Sequence, residues 1–290
     1  MDPLILGLVG FVCALLLLVL RVPIAFSLAG VSSTFILLFF AMRNGGFDFV
    51  SAVAPTLSMI SSNTFALVHS YDLSMIPLFV LLGHISYHTG ITTDIYHAAR
   101  VWLKRLPGGV AMASVFGCGG FSAITGSSIA CASAMGKICV PEMLRMGYDK
   151  RLATSTVAVG GTLGSLIPPS VLFIVYGIFT EMSVSRLFMA GVIPGLISLL
   201  GFLVVIYIWV KRSPEVAPVD DTILEKGERR KAAKRCWPAM LLFTIIIGGI
   251  YGGLFTATEA AAVSAFAVIV SGAVQKSLDW SHFIRYEIID

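Results

Sequence analysis

The sequence predicts an all-α integral membrane protein: a multi-span helical chain with a re-entrant helical hairpin and a proline-broken transmembrane helix. Of the 290 residues, 57% are hydrophobic and 12% are charged, whereas an average soluble domain has about 25% charged residues. Long apolar runs alternate with basic segments along the chain. The net charge of +4 lies largely in these segments, where it indicates orientation in a membrane and not a nucleic-acid partner.

Apolar runs supply the candidate spans. A helix needs about 20 mostly apolar residues to cross a hydrocarbon core about 30 Å thick, so most runs qualify and several are short or interrupted. We expect the first run to stay as a span, because Met1–Leu20 has no basic region at its start and no small-residue cleavage site. The runs are Leu4–Leu20, Ile24–Met42, Leu73–Tyr87, Leu187–Val210, Trp237–Phe255 and Ala260–Val274.

Basic residues between the runs predict the orientation of the chain. If the chain crosses as proposed, only Arg43 and Arg186 fall on the side opposite the others, so the positive-inside rule places the crowded side in the cytoplasm and the N-terminus outside. The long polar segment Lys211–Cys236 is then a solvated cytoplasmic linker. The clustered residues are Arg21, Arg100, Lys104, Arg105, Arg145, Lys150, Arg151, those of 211–235, Lys276 and Arg285.

A re-entrant hairpin is predicted between Arg105 and Arg145. Both ends are basic, yet the intervening residues are nearly all apolar or small. Split at Thr125–Ser128, they give two arms of about 16 residues, each roughly 24 Å long at 1.5 Å per residue, which is too short to cross the membrane and return. We therefore expect a hairpin that enters from the cytoplasm, turns at "TGSS" and leaves by the same face.

A broken helix is predicted over Leu152–Glu181. Pro168 and Pro169, in "GSLIPPS", each remove a backbone donor and crowd the carbonyl four residues earlier, so the helix breaks there and resumes at Val171. Irregular backbone at membrane depth is tolerated only where it is buried in protein or lines a polar cavity. The hairpin tip and the break are therefore expected to meet.

Two interrupted backbones that meet in a membrane are typical of a secondary-transporter binding site. The N-termini of half-helices suit an anionic group. Unwound carbonyls with Ser and Thr hydroxyls suit a small hard cation such as Na⁺. No acidic residue lies between Phe116 and Val140, which favours Na⁺ over H⁺ coupling. The alternative is that small residues here only allow helices to approach closely; they are Gly117, Gly119, Gly120, Gly126 and Ser127.

A metal site is a separate hypothesis. His84 and His88 lie four residues apart in "GHISYH" and could share one helix face as metal ligands. Because no HExxH general base and no third ligand is nearby, packing or interfacial hydrogen bonding is the alternative. The sequence otherwise predicts no enzyme and no resident cofactor.

Three further features have structural interpretations. Glu259 follows Thr256 and Thr258 at the start of an apolar helix, where first-turn capping is expected, although an acid inside a membrane is also a candidate functional group. The segment Asp94–Leu106 mixes apolar and basic faces, which predicts an interfacial helix that acts as an anchor or a connecting arm. The five cysteines have no CxxC spacing and are predicted to pack in the interior.

A family resemblance rests on three stretches of sequence. "GGFSAITGSSIACASAMGKICVPEMLRMGYDKRLATSTVAVGGTLGSLIPPSVLFIVYG", "SRLFMAGVIPGL" and "GGLFTATEAAAV" resemble the large membrane subunit of TRAP (tripartite ATP-independent periplasmic) transporters, from about Pro23 to Trp280. The resemblance implies the elevator-type ion-transporter fold and a secondary carrier of the bacterial inner membrane, typically Na⁺-coupled. Its substrates would be organic acids such as C4-dicarboxylates or sialic acid. Its partners would be an extracytoplasmic substrate-binding protein and a small four-helix membrane subunit.

The resemblance also assigns roles to residues. It implies that Thr125–Ser128 is the tip of the first hairpin and that Gly161–Ser170 is the unwound centre of the broken helix. Cys131 stands where many relatives have an acidic or hydroxyl residue, and Lys137 stands where a small or polar residue is more common; we expect Lys137 to snorkel towards the cytoplasm. The candidate substrate- and cation-binding residues are Thr125, Gly126, Ser127, Ser128, Gly161, Thr162, Gly164, Ser165, Pro168, Pro169 and Ser170.

The implied organisation has three segments. Residues 1–106 would form scaffold helices and the interfacial arm, 107–182 the first transport repeat, and 183–290 further transmembrane helices with the cytoplasmic loop 211–236. The family continues past the end of this sequence with a second repeat, so we expect that repeat to be missing, from a truncated, fragmentary or split subunit. The alternative function is a non-transporting or degenerate membrane scaffold from a truncated gene.

Overall fold

The computed structural model describes residues 3–43, 46–218 and 227–275, and the regular elements in these ranges are all helical. Contacts divide the chain into two compact units, Met1–Ser70 and Tyr71–Asp290. The boundary falls inside the predicted scaffold segment 1–106. Lys276, Arg285 and residues 219–226 of the predicted cytoplasmic loop lie outside the described residues.

The first unit consists of α1 (Pro3–Val19), α2 (Ile24–Met42) and α3 (Phe49–Val68), with α2 packed against both of its neighbours. Asp48 caps α3, because its Oδ1 accepts hydrogen bonds from the backbone N–H groups of Val50 and Ser51 at 3.1 and 3.2 Å. These hydrogen bonds, chiefly the one from Ser51, lower the pKa of Asp48.

The helix α3 was absent from the predicted apolar runs, and that omission was wrong. Pro55 and several Ser, Thr and Asn residues interrupt its hydropathy. Three of these side chains find partners within the helix. Thr56 Oγ1 donates to the Ala52 carbonyl at 2.8 Å, and Ser62 Oγ and Asn63 Nδ2 donate to the Met59 carbonyl at 3.3 and 2.8 Å. Because such hydrogen bonds lower the cost of placing polar groups in an apolar setting, composition alone under-predicts a helix of this kind.

The second unit holds the remaining helices. After a 3₁₀ turn at Tyr71–Ser74 they are α4 (Met75–His88), α5 (Ile91–Leu103), α6 (Gly109–Thr125), α7 (Ser128–Arg145), α8 (Lys150–Thr162), α9 (Val171–Thr180), α10 (Val184–Arg212), α11 (Glu228–Arg235), α12 (Trp237–Phe243), α13 (Gly249–Tyr251) and α14 (Ala257–Val274). Further 3₁₀ turns lie at Leu163–Ser165 and Pro214–Val216, and a π-helical turn at Thr244–Gly248 joins α12 to α13.

Several described helices suit a membrane. The helices α2, α10 and α14 are long and apolar enough to span a bilayer, and the number of such spans rises to five if each of two bent helix pairs counts as one. Three shorter apolar helices are α1, α6 and α9. The predicted class, an all-helical membrane protein, is confirmed at this level.

The predicted cap at Glu259 is confirmed. The Thr256 Oγ1 atom accepts a hydrogen bond from the Glu259 backbone N–H at 3.3 Å, and the Glu259 carboxylate accepts one from the Thr256 backbone N–H at 2.8 Å. This capping box satisfies two N–H groups that the start of α14 would otherwise leave without acceptors.

The centre of the second unit is α6. All of its residues are buried except Phe116 and Gly120, and it packs against α4, α5, α7, α8, α10 and α12. Most of its residues are small, which lets the neighbouring helices approach from every side. The first arm of the predicted hairpin is therefore the core of this unit.

The helix α5 corresponds to the predicted interfacial segment and buries one face, which includes Ile91, Ile95 and Tyr96. The polar segment predicted as a solvated linker contains a helix, α11, which packs against α5. Arg229 lies 5.9 Å from the centre of the Trp102 ring, and the Cys236 thiol donates to the Asp94 carbonyl at 3.3 Å. Most described side chains of α11 are exposed, as expected of a solvated segment, but charge composition did not reveal this contact with α5.

An ion pair joins α5 to the second arm of the hairpin. The Arg100 guanidinium donates to the Glu142 carboxylate, and both side chains are about one-quarter exposed, at 26% and 25%. We expect Glu142→Gln to lower the free energy of unfolding by about 1–3 kcal/mol, between the small effect of breaking an exposed pair and the larger effect of breaking a buried one. Unfolding of the detergent-solubilised protein by a denaturing detergent measures this change.

The matched control for this prediction is Glu215→Gln, which makes the same change at an exposed position. Its unfolding midpoint should match that of the unsubstituted protein. Equal midpoints for Glu142→Gln and Glu215→Gln would show that the Arg100–Glu142 pair contributes nothing to stability.

Candidate functional site

The hairpin turns within two residues. Gly126 ends α6 with φ +63° and donates its N–H to the Ser122 carbonyl at 2.9 Å, and this left-handed conformation is one that glycine adopts without a side-chain clash. Ser127 caps α7, because its Oγ accepts from the Ala130 N–H at 3.3 Å. The arms, α6 and α7, have 17 and 18 residues. The predicted two-armed hairpin with its turn at "TGSS" is confirmed.

The predicted break is also present. After α8, a 3₁₀ turn at Leu163–Ser165 leads into a non-helical segment, and Pro168 and Pro169 are buried and joined by a cis peptide bond. The helix resumes as α9 at Val171. Three hydroxyls donate to nearby carbonyls: Thr162 to Val159 at 2.7 Å, Ser165 to Thr162 at 2.7 Å, and Ser170 to Ser165 at 3.0 Å.

The start of the unwound segment needs a correction. Gly161 and Thr162 form the last turn of α8 and are helical, whereas the resemblance implied that the unwound centre begins at Gly161. The physical reason is the reach of the prolines, since each can disturb only the carbonyl four residues before it. For Pro168 that carbonyl belongs to Gly164, so Gly161 and Thr162 lie before the disturbed carbonyl and remain helical.

The tip and the break are in contact through their backbones. The Val171 N–H donates to the Gly126 carbonyl at 3.0 Å. A Cβ on Gly164 would lie 2.8 Å from both the Ser127 carbonyl carbon and the Ser128 nitrogen, and a Cβ on Gly126 would overlap the Pro169 carbonyl oxygen. The sequence predicted that the tip and the break would meet, and these contacts confirm it.

Close packing explains some of the glycines. A Cβ on Gly117 would lie 2.7 Å from Met135 Cε, and one on Gly120 would lie 2.8 Å from Ile95 Cγ2. The packing interpretation therefore holds for these two glycines, which lie away from the tip. It does not account for the hydrogen bond between the tip and α9. That bond exists only because the chain is interrupted between α8 and α9.

The predicted polar residues differ in exposure. Ser170 is fully buried and Thr125 is 2% exposed, whereas Ser127, Ser128 and Ser165 are partly buried and Thr162 is exposed. The Thr125 hydroxyl donates to the Phe121 carbonyl at 3.2 Å. Among the described residues, the Ser128 hydroxyl has no hydrogen-bond partner in the protein. The partly buried serines therefore leave oxygen lone pairs beside the contact between the tip and the break.

A cavity of about 290 Å³ lies beside the tip. The helices α4 and α7 both pack on α6, and the cavity occupies the groove between them. Two predicted site residues, Thr125 and Ser127, line it. Residues outside the predicted substrate and cation site also line it, and the polar ones are His84, Tyr87, Ser133 and Lys137.

The helical spacing of α7 could have revealed this surface. Ser127, Ala130, Ala134 and Lys137 recur at intervals of three and four residues, which places them on one face of a helix. The position of Gly83 on the facing helix could not have been found in this way. A Cβ there would lie 2.7 Å from Thr125 Cγ2, and that contact exists only in the packed structure.

The histidine pair forms no recognisable metal site. The rings of His84 and His88 have centroids 4.5 Å apart and are tilted by 55°. Within the described parts of the chain, no group of three or more His, Cys, Asp or Glu side chains could hold a metal ion. His84 belongs instead to the lining of the cavity.

A helical hairpin that packs its tip against a broken helix, within a set of apolar helices, defines a helical integral membrane protein with interrupted spans. Residues 11–286 match the family described as Tripartite ATP-independent periplasmic transporter, DctM component. The chain belongs to this family, and the resemblance predicted from the sequence is confirmed. It is a bacterial integral membrane protein of a transporter permease family and not of an enzyme class.

Three curated relatives illustrate the similarity. The C4-dicarboxylate TRAP transporter large permease protein DctM of Vibrio cholerae is 39% identical over 255 residues, which cover 88% of this chain and 53% of the relative. The sialic acid TRAP transporter large permease protein SiaM of Vibrio cholerae is 31% identical, over 93% of this chain and 60% of the relative. The 2,3-diketo-L-gulonate TRAP transporter large permease protein YiaN of Escherichia coli is 32% identical, over 73% of this chain and 49% of the relative.

The chain spans about half the length of the curated relatives it matches. The matched relatives include permease proteins named for three different acids. A non-transporting scaffold, the alternative derived from the sequence, is not favoured by these similarities.

Proposed function

We propose that this chain forms part of the membrane permease of a Na⁺-coupled, binding-protein-dependent importer of an organic acid. The observation that carries the proposal is the backbone contact between the hairpin tip and the broken helix. The Val171 N–H meets the Gly126 carbonyl at 3.0 Å, and Gly164 packs on the peptide between Ser127 and Ser128. Interrupted backbones of this kind bind substrates and ions in secondary transporters.

Na⁺ is the proposed coupling ion, and no other cofactor is proposed. Hard cations prefer oxygen ligands, and the tip and the break offer the Ser127 and Ser128 hydroxyls together with backbone carbonyls. No carboxylate lies between Phe116 and Val140 to carry a proton. The start of α7, with Ser127 at its cap, also presents N–H groups to an anion.

The substrate and partners are proposed from the family. The relatives are named for a C4-dicarboxylate, sialic acid and 2,3-diketo-L-gulonate, and all three substrates are carboxylates. We therefore propose a carboxylate substrate, delivered by an extracytoplasmic binding protein, and a small four-helix membrane subunit as partner. The proposed location is the bacterial inner membrane, with a periplasmic N-terminus and an elevator-type movement of the hairpin and broken helix against the scaffold helices.

Substitution at the tip tests the cation site. We expect Ser127→Leu and Ser128→Leu to abolish Na⁺-dependent thermal stabilisation of the purified protein, because a branched apolar side chain replaces an oxygen ligand. Ligand binding to the folded state raises stability by RT ln(1 + [L]/Kd), so a titration of melting temperature against NaCl, with KCl at constant ionic strength, reports Na⁺ affinity.

The matched control is Ser58→Leu, which makes the same change at an exposed position of α3. It should retain the Na⁺ response of the unsubstituted protein, and all three variants should insert in the membrane. If both tip variants keep the full Na⁺ response, the tip is not a cation site.

A further inference from the structure

The groove between α4 and α7 is lined by one basic side chain, Lys137, and by no acidic residue among its described lining. Lys137 is exposed and forms no ion pair with any described residue. A cation on a helix inside a membrane is costly unless it has a partner or reaches water. The cavity supplies the space in which a partner of opposite charge could sit.

The other polar groups of the cavity suit the same partner. The hydroxyls of Tyr87, Ser127 and Ser133 and the imidazole of His84 line it, and hydroxyl and imidazole groups can donate hydrogen bonds to a carboxylate. Its volume of about 290 Å³ is just below the range for drug-sized ligand sites, which is about 300–1,000 Å³. A small organic acid matches this size.

The position of Lys137 connects the cavity to the hairpin tip. Lys137 lies ten residues after Ser127, a distance of about 15 Å along a helix that rises 1.5 Å per residue. Side chains on a helix lean towards its N-terminus, so the ammonium group projects along the groove in the direction of the tip. An acid anchored at one end by Lys137 would extend its other end towards Ser127.

We propose that Lys137 is a substrate-binding residue that pairs with a carboxylate of the transported acid in the groove between α4 and α7. This inference rests on the proposed function for the identity of the ligand as an organic acid. It differs from the expectation that Lys137 snorkels towards the cytoplasm, because it gives the side chain a ligand in place of bulk water.

The experiment measures binding of succinate and of N-acetylneuraminate to the purified full chain by calorimetry, with succinamide as the uncharged analogue. We expect Lys137→Gln to weaken binding of the acids by about tenfold to a hundredfold, the effect of losing a charged hydrogen bond. Lys137→Arg should stay within about threefold of the unsubstituted protein, since it keeps the charge. Lys150→Gln, which removes an exposed charge at the start of α8, should bind as the unsubstituted protein does.

A second measurement separates a direct contact from a change in folding. Reductive methylation followed by peptide mass spectrometry should show that a bound acid protects Lys137 and leaves Lys150 equally reactive. Filling the groove with Ala130→Leu should also abolish binding, whereas Ala233→Leu, the same change at an exposed site on α11, should not.

Three results would overturn the inference: no acid binding by the unsubstituted chain, equal binding by Lys137→Gln, or equal methylation of Lys137 with and without acid. The inference and the proposed function can fail separately. Acid binding that requires Lys137 but does not depend on Na⁺ would support the inference and contradict Na⁺ coupling. Acid binding that depends on Na⁺ but is unchanged in Lys137→Gln would support Na⁺ coupling and contradict the inference.

Discussion

Replacing Gly126 with alanine is expected to lower the free energy of unfolding by about 2–5 kcal/mol. A residue with a Cβ costs about 1–2 kcal/mol in the left-handed conformation that Gly126 adopts at φ +63°. The new methyl group would also overlap the Pro169 carbonyl oxygen, and forced overpacking adds about 1–3 kcal/mol. The Pro169 oxygen belongs to backbone between two buried residues, Pro168 and Ser170, so it has little freedom to move. Unfolding of the solubilised protein by a denaturing detergent measures the loss.

Gly90→Ala is the matched control. Gly90 has φ +82°, but a Cβ there would meet no atom within 4 Å. It should therefore show only the conformational cost of about 1–2 kcal/mol. The difference in the free energy of unfolding between the two variants measures the contact between the tip and the break. Equal losses of free energy would mean that the Pro169 carbonyl moves aside without destabilising the protein.

Replacing Gly164 with alanine is expected to weaken Na⁺ binding by about a hundredfold. Gly164 needs no unusual backbone conformation, but a Cβ there would lie 2.8 Å from the Ser127 carbonyl carbon and 2.8 Å from the Ser128 nitrogen. Because these are backbone atoms, they cannot rotate away, and the tip must separate from the break. A misplacement of about 1 Å in a preorganised site can cost about a hundredfold in function. Titration of melting temperature against NaCl measures the affinity.

The control for Gly164 is Gly136→Ala on α7. A Cβ there would lie 3.8 Å from Val157 Cγ1, which is ordinary van der Waals contact, and alanine is favoured over glycine in a helix by about 1 kcal/mol. The control should therefore be as stable as the unsubstituted protein or more stable, with unchanged Na⁺ affinity. Normal Na⁺ binding by the Gly164→Ala protein would show that the tip and the break do not form the cation site.

The burial of α6 explains why single methyl groups at this site should have such effects. The hairpin is held along its whole first arm, since nearly all residues of α6 are buried and six other helices of the described chain pack on it. Interiors packed in this way transmit strain and do not absorb it. The tip is therefore fixed in place by packing, and its distance from the break is set by the glycines on either side.

Much of this arrangement could be predicted from the sequence because it depends on local rules. Charge at both ends of an apolar segment indicated a hairpin, and the turn lies at Gly126 and Ser127 as the small residues suggested. Adjacent prolines required a break, and Glu259 caps α14 as its position after Thr256 indicated. The turn, the break and the cap are each determined by residues within a few positions of one another.

The features that the sequence did not predict correctly have equally specific causes. Hydropathy did not detect α3, because Pro55 and several Ser, Thr and Asn residues interrupt its apolar run. Hydrogen bonds to carbonyls of the same helix lower the cost of these polar groups. The resemblance placed the end of α8 too early, since the helix extends two residues further than it implied. Charge composition did not predict that α11 packs against α5 with Arg229 near the ring of Trp102.

By itself, the sequence determined that this is a helical membrane protein of the TRAP large permease family, with a hairpin and a proline break. The helical class, the hairpin and the break follow from composition, charge order and the local geometry of glycine and proline, and the family follows from the resemblance of three sequence stretches. Only the tertiary structure decided that Gly126 bonds to Val171 across the break and that Lys137 shares a cavity with His84 and Tyr87. The physical reason is that these contacts join helices far apart in sequence, and the distances between them depend on side-chain packing around α6.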